Sequence, residues 1–136
     1  MPIDPPEAPM LRIDPDLALR GLVWKQVFGA GGPVEVEIGP GKGRFILAAA
    51  EARPDVLLFG IEWANEYLRI AEERAARRSL GNVRFVRADA REIVCHAIPS
   101  ASVTSYYVFY PDPWPKKRHH KRRFFQTDTV DHLART

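Results

Sequence analysis

The sequence predicts an α/β fold built on a doubly wound parallel sheet, and three observations predict it. From Pro33 onward the chain repeats one unit: a short β-branched run, a turn ending in glycine or an acid, then a helical pattern. The unit occurs four times, and strands alternating with helices argue for a parallel sheet covered on both faces. The residues that close the strands are glycines and carboxylates, at the end of such a sheet where ligands bind.

Residues 1–16 hold five of the twelve prolines and no apolar periodicity, which predicts an extended leader; residues 17–136 are expected to form the domain. LALRGLVWKQVFG (17–29) has apolar residues at helical spacing and ends in Gly29, predicting a short packing helix. VEVEIG (34–39) precedes the helical RFILAAAEA (44–52), and VLLFGIE (56–62) precedes NEYLRIAEERAARRSL (65–80). VRFVRAD (83–89) leads into AREIVCHAI (90–98), and VTSYYVFY (103–110) leads through PDPWPKKRHHKRR into RRFFQTDTVDHLA (122–134). Doubly wound domains of this kind have six or seven strands, so four βα units predict an incomplete sheet whose C-terminal part is missing.

With 136 residues, 46% hydrophobic and 27% charged, the chain has the composition of one globular domain. Its net charge of +3 is modest but unevenly spread: residues 1–19 carry four acids and one base, residues 114–136 seven bases and two acids. The single cysteine, Cys95, has no disulfide partner within the chain. The acidic, proline-rich start does not resemble a secretion signal and no run reaches membrane-spanning length, so a reducing, cytoplasmic location is expected.

In EIGPGKG (37–43), Gly39, Gly41 and Gly43 let the backbone of the first strand-to-helix turn approach a ligand. The spacing fails the dinucleotide fingerprint, since Arg44 or Ile46 stands where the third glycine belongs. Glu37 just upstream would repel a diphosphate and favours a cationic ligand, a requirement that S-adenosylmethionine meets with its ammonium and sulfonium groups. Glu62 ends the second strand nineteen residues after Gly43, about the distance at which such folds place an acid on ribose hydroxyls; a helix-start acid favoured by the macrodipole is the other reading. Asp89 ends the third strand, where it can accept from an adenine amine or cap the helix behind it. Asp112, between Pro111 and Pro113, has an extended backbone and a restrained side chain, and Trp114 beside it offers a face on which a base can stack. Lys116 to Arg123 places six cations in eight residues, enough to follow a phosphate backbone. His119 and His120 have no ligand cluster of metal spacing around them, so no metal is expected.

EIGPGKG, GIE, NVRFVRADA and YPDPWPKKRHHKRR resemble the bacterial tRNA (guanine-N7)-methyltransferase family over residues 33 to 134, the PDPW-plus-basic segment most specifically. The resemblance implies a Rossmann-like class I methyltransferase sheet and methyl transfer from S-adenosylmethionine to N7 of guanine 46 in the tRNA variable loop. It carries cofactor binding to Glu37, Glu62, Asp89 and Asp112, makes Asp112 the catalytic acid, and gives Lys116 a substrate-binding role. Tyr110 stands where that family has phenylalanine, and the family's downstream aspartate and Thr-x-Tyr-Glu segment have no counterpart here. An NAD(P)-dependent oxidoreductase and a non-catalytic RNA-binding module are the competing classes; the oligomeric state has no signal in the sequence.

Overall fold

The computed structural model describes residues 11–109 and 124–136. The elements run β1 (Arg12–Ile13), α1 (Pro15–Leu19), α2 (Trp24–Phe28), β2 (Val34–Ile38), α3 (Arg44–Ala52), β3 (Leu57–Glu62), α4 (Asn65–Arg77), β4 (Val83–Arg87), α5 (Ala90–His96), β5 (Ser105–Tyr107) and α6 (Thr127–Arg135). All pairings are parallel, in the order β1-β4-β3-β2-β5. The chain therefore walks outward from β2 through β3 to β4 and then returns to β5 on the other side of β2. That reversal opens a crevice at the carboxyl ends of the strands.

Period-2 alternation sorts the strand residues between two cores. Val34, Val36, Ile38, Phe59 and Ile61 face one core, closed by Trp24 and Phe28 of α2, Ile93 and Val94 of α5, and Phe124. Leu58, Val83 and Phe85 face the other, closed by Ile46 and Leu47 of α3 and Leu68, Ala71 and Ala75 of α4. Glu35 and Glu37 lie on this second face, which is why α3 buries two acids in the middle of the sheet.

Two expectations about the N-terminal stretch differ from the structure. Residues 11–16, read as part of the leader, form the sheet's edge strand and the start of α1: Phe85 N–H donates to the Leu11 carbonyl (2.7 Å), and Arg12 pairs with Glu72 and Asn65 of α4. Asp14 caps α1 by accepting from Asp16 N–H (2.8 Å), and Pro15 occupies the first turn, so a proline that looked like linker composition is a helix start. The single helix expected over 17–29 is two short helices, because Gly21 takes a left-handed φ of +112° and the Leu22 N–H turns away to the Ala97 carbonyl. The last helix begins at Thr127 rather than 122; Phe124 ahead of it is buried in the first core. Thr136 at its end is buried, its carbonyl accepting from Ser102 and Val103 N–H beside the start of β5. Among the described residues β5 forms the sheet's second edge, and no helix is long and apolar enough to cross a membrane.

Candidate functional site

The crevice holds a cleft of about 1300 Å³ lined by Glu37, Gly39, Gly41, Glu62 and Asp89, among others. The structure thus brings together all the cofactor candidates expected from the first three strand ends. Asp112 and Lys116 lie outside the described residues.

The glycine turn is built by backbone conformation and tied to its neighbour strand. Gly41 and Gly43 adopt φ of +58° and +87°, where a side chain is strained. At Gly43 a Cβ would also press to 3.0 Å on Ala71 and 3.1 Å on Leu47, whereas at Gly41 it would meet open space. Gly39 N–H donates to the Ile61 carbonyl (2.9 Å), and Gly41 N–H donates to Glu62 Oε1 (2.9 Å). Glu62 Oε2 accepts from Ala64 N–H at 3.1 Å. The Glu62 carboxylate therefore clamps the turn after β2 to the turn after β3, a second task that sequence spacing did not reveal.

Glu37 is only 4% exposed, and its Oε1 has no hydrogen-bond partner among the described residues. Burial and the nearby negative charge of Glu62 push its carboxyl up to about 7, partly offset by the Ile46 N–H in the first turn of α3. Two residues earlier, Glu35 has the opposite environment. Arg53 donates to it twice (2.6 and 2.7 Å) and Tyr107 Oη once (2.9 Å), holding its carboxyl below the ordinary value of 4.5 against the effect of burial. Asp89 accepts from Arg91 N–H (2.9 Å) and so caps α5, the local reading of its position. Sequence reasoning missed the aromatic walls. Trp63, 47% exposed, lies under the Arg87 guanidinium at 5.2 Å, and Phe45 meets Phe109 at 4.8 Å. The usable signal was an aromatic placed directly after a strand-end acid. Among the described residues no cluster of His, Cys, Asp or Glu has the geometry of a metal site.

The cleft can take a ligand with a cationic end for Glu37, hydroxyl donors for Glu62 and a flat ring for the Trp63 side. A family model described as "Putative methyltransferase" matches residues 31–136. Proteins named tRNA (guanine-N(7)-)-methyltransferase are similar: one from Nocardia farcinica is 44% identical over 79% of this chain and 40% of its own length. One from Vibrio vulnificus is 39% identical over 81% and 46%, and one from Listeria monocytogenes 40% identical over 74% and 46%. The chain thus spans less than half the length of these curated relatives. In fold it is similar to a Methanococcus maripaludis protein described as a "putative s-adenosyl-l-methionine-dependent methyltransferase" (TM-score 0.53, 17% identity, 82% of this chain and 46% of that one). The YcgJ protein of Bacillus subtilis is similar to the same degree (TM-score 0.53, 21% identity, 88% and 45%).

Proposed function

This chain belongs to the methyltransferase family whose model covers its residues 31–136, and from that premise we propose that it transfers a methyl group from S-adenosylmethionine to N7 of guanine 46 in tRNA. The observation that carries the cofactor half is the buried Oε1 of Glu37 before the glycine turn, which has no partner among the described residues and whose carboxyl can pair with an ammonium but offers a diphosphate no counter-charge. The names of the relatives at about 40% identity support the tRNA half.

The residues divide the binding task by chemistry. Glu37 receives the ammonium end, and the backbone of Gly39 and Gly41 permits close approach beside it. Glu62, already fixed by two backbone N–H groups, keeps lone pairs for ribose hydroxyls. Asp89 is assigned the adenine edge while capping α5, and Trp63 supplies an apolar flank. S-adenosylmethionine, when bound, supplies an electrophilic methyl on a sulfonium. Guanine N7 carries a free lone pair and no proton, so the protein's contribution is mainly alignment. Asp112 is assigned to stabilise the positive charge gained by the purine, and Lys116 to hold the substrate.

The test is transfer of labelled methyl to tRNA. Asp112→Ala is expected to lose turnover far more than tRNA affinity; equal losses would make Asp112 a binding residue. Retained tRNA affinity without any transfer would favour the RNA-binding module. Thermal stabilisation by NAD(P), with none by S-adenosylmethionine, would overturn the cofactor assignment.

A further inference from the structure

Glu37 lines a cleft large enough for a nucleoside-sized ligand and is nine-tenths buried; the Ile46 N–H bonds its carboxyl, but its Oε1 has no hydrogen-bond partner among the described residues. An isolated buried anion is costly, and a carboxyl so placed keeps its proton instead. The charges around it do not relieve this. On its own strand Glu35 is committed to Arg53, and across on β5 the Tyr107 hydroxyl is also committed to Glu35. On β3 Glu62 adds negative charge, and on α3 Arg44 is exposed. Farther along the cleft Arg87 lies over Trp63, Asp89 caps α5, Arg91 pairs with Asp128, and Glu92 is exposed. Among the described residues no cation is paired with Glu37.

We propose that in mildly acid solution Glu37 is protonated in the ligand-free protein and gives up that proton when an α-ammonium arrives, so that it selects amino-acid-bearing nucleosides by a proton exchange. This deepens the cofactor reading above and rests on it. The exchange balances: the neutral carboxylic acid becomes a carboxylate paired with ammonium, and one proton passes to solvent. Because the Glu37 carboxyl is pushed up to about 7, the proton must be expelled below that pH and is already gone above it. The dissociation constant for S-adenosylmethionine is therefore expected to rise about tenfold per pH unit below 7. It should flatten above 7, until the ligand's own amino group deprotonates near about 7.7–8.0.

Titration calorimetry in buffers of different ionisation enthalpy reads the proton directly. With a carboxyl at about 7, S-adenosylmethionine should release about 0.9 proton at about pH 6 and about 0.5 at about pH 7. S-adenosylhomocysteine keeps the ammonium without the sulfonium and should release the same amount. 5′-Methylthioadenosine has no ammonium and should release none. Glu37→Gln, which keeps a polar group but cannot titrate, should bind S-adenosylmethionine weakly, with neither proton release nor pH dependence; if it fails to fold, the three ligands on the unsubstituted protein still decide. S-adenosylmethionine binding with no proton release and a flat pH profile overturns the exchange and leaves the cofactor reading standing. Equal release with 5′-methylthioadenosine means that the proton does not answer to the ammonium and overturns the exchange too. Binding of neither cofactor form at any pH overturns the cofactor reading itself, and the exchange with it.

Discussion

At the scale of the residue, Glu35 and Glu37 share a strand, a face and nearly complete burial, yet differ in what donates to them. Arg53 and Tyr107 hold the Glu35 carboxyl below 4.5, whereas burial and the charge of Glu62 outweigh the Ile46 N–H and raise the Glu37 carboxyl to about 7. A depressed carboxyl contributes stability that is present above its unfolded value and lost as pH falls through the lower, folded value. Arg53→Met should therefore destabilise the protein by about 1–3 kcal/mol near neutral pH, with the Tyr107 hydroxyl left as the remaining side-chain donor to Glu35. The gap to the unsubstituted protein should narrow below 4.5 as Glu35 protonates. Urea denaturation at neutral and acid pH measures both, and a gap independent of pH would remove Glu35 as its cause. The sequence displays both acids, but Arg53 lies 18 residues from Glu35 and Tyr107 lies 72, so neither partner follows from strand periodicity.

At the scale of the element, the site depends on how closely α3 approaches the sheet. Gly60 of β3, beside Glu37 in register, makes room for it: an added Cβ would come within 2.9 Å of Phe85 Cδ1 and 3.1 Å of Ile46 Cδ1. Phe85 and Ile46 are both fully buried, so neither has free space into which to move. Gly60→Ala is expected to cost about 1–3 kcal/mol in denaturant unfolding and to weaken cofactor binding by displacing the first turn of α3. Unchanged stability would mean that the helix shifts freely. Local patterns make several elements legible: α3 occupies the expected 44–52, and β2, β3 and β4 lie within one or two residues of expectation. Residues 11–16 were hidden because a two-residue edge strand has no periodicity of its own; β4 and Glu72 hold it in place. The break at Gly21 was hidden because Leu22 N–H finds its acceptor 75 positions away, at Ala97.

At the scale of the whole molecule, the chain's reversal from β4 back to β5 places the glycine turn, Glu37, Glu62 and Asp89 around one cleft. Asp112 and the cations of 116–123, which lie outside the described residues, fall between β5 and α6 in the sequence. On the proposed tRNA reading, Lys117→Ala, Arg118→Ala and Lys121→Ala together should lower the slope of log affinity against log salt by about 2–3, at about 0.7–0.9 per phosphate contact. S-adenosylmethionine affinity should stay unchanged; an unaltered salt slope would remove these cations from the RNA interface. The sequence by itself determined the βα repeat and the chemical inventory at the strand ends, because periodicity and turn chemistry are local. The assembled structure alone settles that Glu62 clamps Gly41, that the Glu35 carboxylate is paired with Arg53 and that Glu37 Oε1 has no partner among the described residues. Hydrogen-bond partners and loss of solvent are set by residues far apart in the chain, and those meet only when the sheet is assembled.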